Sequence, residues 1–211
     1  FRSENDGNLW TAINENLPNL VIKAITVNTK GHVYIGTLGH GIFKSTNNGD
    51  TWSEVNTGLN FRDINALFAY RPDDIIIAAT NGGGIYRTTN DGQSWSRTNA
   101  TTSRRLSQYT NSFYEELNSR NPVASNNGEG LFISASKGLN WSPEDTTNIR
   151  ELDVNCATQL PNGLYMIGLR YKGLMVWDDL EYEWVSVGNN ATGVTALVRN
   201  SKGTIFVVYP N

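Results

Sequence analysis

Glu129 and Asp153 are the pair of acids on which a glycoside hydrolase or lyase would draw, one to protonate the leaving oxygen and one to activate water or attack the sugar. The chain holds 20 Asp and Glu residues, and neither spacing nor neighbours single this pair out. Metal chemistry finds less support. Both histidines, His32 and His40, fall in one hairpin without an acidic or Cys partner at ligand spacing, so no metal site is expected. Gly82-Gly83-Gly84 follows a strand-like run but opens no helix, which is the context a phosphate loop needs, and no cofactor is expected either. No serine stands in a nucleophile elbow. Cys156 is the single cysteine, which excludes an internal disulfide. With 17 basic against 20 acidic residues there is no electrostatic footprint for nucleic acid. The longest strongly apolar run, 75–79, is too short for membrane insertion.

The elements that must position any site are strands. Six Trp, nine Tyr and 20 Gly in a chain with few helix-favouring runs point to short strands joined by tight turns, and the expected class is all-β. Trp10, Trp52, Trp95, Trp141 and Trp184 recur every 42 to 46 residues, the length of one four-stranded propeller blade. The segments leading into the first three align: Phe1 to Trp10, Phe43 to Trp52 and Tyr86 to Trp95 each carry Ser or Thr, then Asn, then Gly, then Trp. The copy from Phe132 to Trp141 keeps Ser134, Gly138 and Trp141, whereas the copy from Met175 to Trp184 loses the Gly and keeps Asp179 at the acidic position. Upstream of the boxes lie β-branched runs at 31–37, 74–80, 163–169 and 203–209, and before these come inner strands at 22–27, 64–69, 152–157 and 194–199. The third inter-Trp segment is the longest, and 101–108 reads as an inserted loop.

Segments 45–52 and 88–95 resemble the Asp-box, or BNR repeat, of sialidases, sortilin-like receptors, some xyloglucan-degrading glycosidases and photosystem assembly factors. The resemblance covers essentially the whole chain. It implies a hairpin between the third and outermost strands of each blade. Its structural residues here are Ser3, Asn5, Gly7 and Trp10; Ser45, Asn47, Gly49 and Trp52; Thr88, Asn90, Gly92 and Trp95; Ser134, Gly138 and Trp141; and Asp179 and Trp184. The hydroxyl and the amide bond the turn's own backbone, Gly supplies positive φ and Trp packs under the turn. Asn5, Asn47 and Asn90 stand where the family has Asp, and Asn accepts the same local hydrogen bonds without a charge. The resemblance also implies that the boxes lie on the face away from the usual active site. The arginine triad and Arg-Ile-Pro signature of sialidases have no counterpart after Phe1-Arg2-Ser3-Glu4. The paired seven-bladed propellers of xyloglucan-cleaving relatives exceed what 211 residues can build.

The expected architecture is a single domain over 1–211, a five-bladed β-propeller of four-stranded antiparallel blades. The chain begins at a third strand and ends after a second, so N- and C-terminal strands are expected to share one blade and close the ring. Ligands should then meet the turns between second and third strands, where His40, Asn81, Asn127, Glu129, Arg170, Tyr171 and Lys172 vary over a Gly-constrained backbone. Inner-strand residues Lys23, Asn65, Asn111, Asp153 and Thr195 would line the central channel. The function these features favour is non-catalytic recognition or scaffolding by a monomer that binds a glycan or a protein surface. Its expected place is extracellular, periplasmic or on a cell surface. The alternatives are a glycosidase or lyase with a hidden acid pair, and a sensor or assembly-factor domain docking a protein.

Overall fold

A computed structural model describes residues 1–17, 21–100, 109–144, 153–188 and 193–210. The chain divides into two compact units, Phe1–Arg97 and Thr98–Asn211. Both are all-β.

The first unit holds two four-stranded antiparallel sheets in strict sequence order. One runs β1 (Ile22–Val27), β2 (Val33–Thr37), β3 (Gly41–Ser45) and β4 (Ser53–Glu54), and the other β5 (Ile64–Tyr70), β6 (Ile75–Thr80), β7 (Gly84–Thr88) and β8 (Ser96–Arg97). Ahead of them, Arg2 and Thr11 form a single antiparallel bridge. Every residue of β6 is buried, which is why Ile75, Ile76 and Ile77 run together instead of alternating with polar residues. Tyr34, Ile42, Leu59, Ile64, Ile76, Ala78, Tyr86 and Trp95 form the core between the sheets. The approach depends on Gly36, where an added Cβ would stand 2.4 Å from Ile64 Cγ2.

The second unit repeats the scheme in β10 (Thr110–Glu115), β11 (Pro122–Asn126), β12 (Gly130–Ile133) and β13 (Asn140–Pro143), and again in β14 (Val154–Gln159), β15 (Tyr165–Leu169), β16 (Gly173–Asp178) and β17 (Glu183–Val187). Two departures from the sequence expectation appear. A short strand, β9 (Asn99–Ala100), lies parallel against the outer edge of β13. The last sheet has two strands, β18 (Ala196–Arg199) and β19 (Ile205–Val208). Gly168 plays the part of Gly36, its hydrogen side lying within 2.6 Å of Val194 once a Cβ is imagined there. The loop read at 101–108 lies outside the described residues.

All four inner strands that open a four-stranded set carry a bulge one residue in, between Ile22 and Ala24, Ile64 and Ala66, Thr110 and Ser112, and Val154 and Cys156. The bulged residues are Lys23, Asn65, Asn111 and Asn155. A bulge re-aims a side chain out of the pleat, and here it reaches the neighbouring inner strand: Lys23 Nζ donates to Asn65 Oδ1 at 2.8 Å, Asn111 Nδ2 to the Val154 carbonyl at 2.8 Å, and Asn155 Nδ2 to the Val194 carbonyl at 3.0 Å. Asp153 was expected at this inner position. It instead precedes β14, and Asn155 occupies the bulge, because the strand starts two residues later than the apolar pattern implies. Thr195 likewise precedes β18 and pairs through its N–H with the Val208 carbonyl at 2.8 Å.

Candidate functional site

Each set of four strands presents two ends. At one end lies the hairpin between its third and fourth strands. At the other, the loop end, the turn between second and third strands meets the start of the inner strand.

The hairpin end is built by one local device. After β3, Ser45 Oγ accepts the Gly49 N–H at 2.8 Å, and Asn47 Oδ1 accepts that of Thr51 at 3.0 Å. After β7, Thr88 Oγ1 takes Gly92 at 3.1 Å and Asn90 Oδ1 takes Ser94 at 3.0 Å. The N-terminal copy does the same with Ser3 to Gly7 at 2.9 Å and Asn5 to Leu9 at 2.8 Å. In the Ser134 copy, Ser136 Oγ replaces the amide and accepts the Asn140 N–H at 2.7 Å. Trp52 and Trp95 donate to the carbonyls of Ile13 and Val55, at 3.0 and 2.7 Å, and so tie each hairpin to the preceding segment.

Trp10 meets its own turn, its indole N–H donating to the Gly7 carbonyl at 2.9 Å, but is 59% exposed. One expectation is corrected at this end. In the last hairpin the carboxylate that gathers the turn is Asp178, whose Oδ1 accepts the N–H groups of Leu180 and Glu181 at 2.9 and 3.2 Å, and not Asp179. Loss of the Gly shortens the loop to Asp179–Tyr182 between the paired Asp178 and Glu183, which moves the anchor by one residue.

Sequence reading missed a polar cluster that also lies at the hairpin end. Asp91, at φ 60, receives the Tyr34 hydroxyl at 2.5 Å, Lys44 Nζ at 2.9 Å, His32 Nδ1 at 3.1 Å and Asn28 Nδ2 at 3.2 Å. Desolvation opposes ionisation there, but hydrogen bonds from Tyr34, Lys44 and His32 together outweigh it and hold the carboxyl well below the usual carboxylate range. Burial, reinforced by Asp91, pushes the Tyr34 hydroxyl far up. Asp74 is also lowered, chiefly by the Thr29 hydroxyl. No single stretch of sequence signals this cluster, because its donors come from residues 28–34 and from Lys44 while the acceptor is Asp91. It clamps two sheets together with every partner satisfied, which is the chemistry of a brace.

The loop end is held by a second recurring device. The first turn N–H, from Leu38, Asn81, Asn127 or Arg170, donates to the carbonyl just before the inner strand, at Val21, Asp63, Tyr109 or Asp153, over 2.8 to 3.1 Å. Thr37 and Thr80 hydroxyls close their turns onto the Gly41 and Gly84 carbonyls at 2.8 and 2.9 Å. Gly41, Gly84, Gly130 and Gly173 end the four turns at φ 76 to 82.

In the first unit His40 is anchored through its carbonyl by Asn56 Nδ2 at 3.2 Å. Asn81 Nδ2 donates to Asp63 Oδ2 at 2.9 Å, while Asp63 Oδ1 faces Lys23 Nζ at 3.5 Å. Asp63 and Phe61 were not singled out in the sequence, although Asp63 shares its offset before the inner strand with Asp153. In the second unit the Asp153 carboxylate approaches the 127–129 turn, its Oδ1 lying 3.7 Å from where a Cβ on Gly128 would stand. Asp153 is thereby drawn toward the segment that carries Asn127 and Glu129. Arg170 hangs from the Asp153 carbonyl and stacks its guanidinium over the Tyr171 ring at 5.6 Å, with Tyr171 and Lys172 open to solvent. The loop end therefore offers amides, carboxylates, cations and aromatic faces on a fixed backbone. Asp74 and Asp91, whose carboxyls are held ionised, both lie at the other end. No group of three or more His, Cys, Asp or Glu side chains suited to a metal occurs among the described residues. No helix among them is long and apolar enough to cross a membrane.

Several solved structures share this architecture. The extracellular domain of BT4673 from B. thetaiotaomicron aligns with 90% of the chain at a TM-score of 0.67 and 15% identity, and the chain covers 26% of it. Virginiamycin B lyase from Staphylococcus aureus aligns with 92% at a TM-score of 0.70 and 15% identity, with 64% of the lyase covered. YCF48 bound to D1 peptide aligns with 90% at a TM-score of 0.61 and 15% identity, with 61% covered. The chain thus spans about a quarter of the first of these and less than two thirds of the others. At such identities the likeness concerns the fold, that of a β-propeller. No curated protein matches the sequence. The model of one family does match, over residues 1–109, and the chain belongs to that family, the DUF6242 β-propeller domain.

Proposed function

We propose that the chain is a non-catalytic recognition or scaffold domain that binds a glycan or a protein surface through the loop ends of its blades. The observation that carries this reading is the contrast within those loops. Their bases are fixed by the same backbone hydrogen bond in four blades and by a left-handed Gly, while their apices differ in charge, size and aromaticity. A rigid base with varied tips is how a scaffold lowers the ordering cost of binding while leaving specificity free to change.

The hairpins are read as Asp-boxes with a structural role, and the whole chain as one five-bladed ring. Two features support closure. The first unit carries an apolar groove of about 630 Å³ lined by Phe1, Ile13, Leu17, Ile22, Ile25 and Val27. The two-stranded sheet β18–β19 exposes Val198, Phe206 and Val208. Each leaves apolar surface exposed, which a ring that closes would cover. Action outside the cytoplasm is supported by the likeness to an extracellular sensor domain, and a peptide partner by the likeness to a propeller solved with peptide.

A glycosidase reading keeps one supporting observation, the approach of Asp153 to the turn holding Glu129. One screen separates the readings. The purified domain is applied to glycan and peptide arrays and incubated with polysaccharides. Recognition predicts saturable binding with no release of reducing ends. Hydrolysis abolished by Glu129→Gln and Asp153→Asn would replace it with the enzyme.

A further inference from the structure

We propose that the loop end of the Phe1–Arg97 unit binds a neutral pyranose ring, stacked on Phe61 and hydrogen-bonded by Asp63 and Asn81. The proposal rests on the recognition reading above and gives it a ligand class. Phe61 lies in the segment leading into β5 and is 42% exposed. Its ring is seated on the glycines of the neighbouring turn: a Cβ on Gly83 would stand 2.4 Å from Phe61 Cδ2 and Cγ and 2.6 Å from Thr80 Oγ1, and one on Gly82 would lie 3.8 Å from Cε1. Backbone without side chains thus supports the ring from one side while much of it meets solvent.

Two residues along, Asp63 and Asn81 form a fixed polar pair. The Asn81 N–H bonds the Asp63 carbonyl at 2.8 Å and its Nδ2 bonds the Asp63 carboxylate at 2.9 Å, leaving the Asn81 amide oxygen to accept. The charge of Asp63 is balanced by Lys23 Nζ at 3.5 Å, itself held by Asn65 at 2.8 Å, and Arg62 is matched by Glu54 at 3.8 Å.

An aromatic face beside a planar carboxylate and amide complements a sugar ring on two sides. Pyranose C–H groups pack against the aromatic face, and vicinal hydroxyls both donate to carboxylate and amide oxygens and accept from N–H groups. The local balance of charge leaves no excess attraction for an anionic or cationic ligand, which selects neutral sugars. The seat is also preformed, since the partners are tied to backbone and lose little freedom on binding.

The test is saturation-transfer NMR and calorimetric titration of the full chain with cellotetraose and mannotetraose. At least one should bind, with saturation strongest on the ring C–H protons. Phe61→Ala should weaken binding about tenfold or more, Asn81→Ala should weaken it as well, and Phe61→Trp should retain it, with thermal melts reported for each. No saturation transfer from either sugar overturns the proposal, as does unchanged affinity in a folded Phe61→Ala protein. A peptide array distinguishes the two levels. Peptide binding that Arg170→Ala removes, with no sugar binding, sinks this site and leaves the recognition reading standing, whereas failure of both ligand classes sinks both.

Discussion

The hairpin after β7 and the hairpin after β16 hold the same place in their sheets and are stabilised by different chemistry. The first is a network of short local bonds: Thr88, Asn90 and Gly92 shape the turn, and Trp95, almost fully buried, donates to the Val55 carbonyl. The second lacks the hydroxyl, the amide and the glycine. Tyr182 takes the left-handed conformation in its turn, at φ 55, and Trp184 packs edge-on against Trp177 at 5.5 Å. The Trp184 indole N–H is buried without a hydrogen-bond partner among the described residues. Register along β16 and β17 nevertheless stays regular over five residue pairs. The hairpin is therefore specified by strand pairing and aromatic packing in one blade and by its turn in the other, so the box residues are a sufficient device rather than an obligatory one.

Mutations sharpen that contrast. Trp95→Ala removes a buried ring and orphans the Val55 carbonyl, and should cost about 3–5 kcal/mol in denaturant melts. Trp184→Ala should cost clearly less, because its ring is only half-buried and its N–H has no bond to lose. Equal losses would show that the two blades are built alike. The Asp91 brace adds a pH signature to the first unit. Its carboxyl is depressed in the folded state, so the stability it contributes is complete above the unfolded carboxyl value near pH 4 and is lost as pH falls below it toward the folded value. Urea melts between about pH 5 and pH 2 should therefore show a steep decline that flattens in Asp91→Asn. An unchanged slope would remove the brace from the account. The smallest effects concern the turns. Gly92→Ala should cost about 1–2 kcal/mol, since φ is +86 and the new Cβ would meet Val55 at 3.2 Å. Tyr182→Gly should stabilise by up to about 1 kcal/mol by relieving a left-handed side chain that is largely exposed.

Much of the fold was legible because the repeat encodes it locally. Trp spacing, Gly at the turns and β-branched runs locate the sheets, and the same phase sets Lys23, Asn65 and Asn111 at one equivalent inner-strand position, where the structure has its bulges. What escaped depends on assembly. Asn155 replaces Asp153 at that position because strand starts follow register, which apolar patterning here misses by two residues. Asp178 replaces Asp179 because a lost Gly changes loop length. The Asp91 cluster draws its donors from residues 28–34 and 44, and Phe61 sits in a connecting segment without a motif; only folding brings such groups together. The repeat phase puts His40, Asn81, Asn127, Glu129, Arg170, Tyr171 and Lys172 in the turns between second and third strands, where the structure has them, whereas their partners, Asp63 above all, follow from no motif.

The central claim is that recognition belongs to the loop ends and stability to the hairpin ends. Its most direct test is the Kd of whichever ligand the arrays return, measured for Asn81→Ala, Arg170→Ala and Trp52→Ala and corrected for the folded fraction of each. The account predicts that at least one loop variant binds about tenfold more weakly at unchanged melting temperature, while Trp52→Ala melts lower and binds within about twofold of the parent. Affinity lost selectively in folded Trp52→Ala, with both loop variants unaffected, would contradict it.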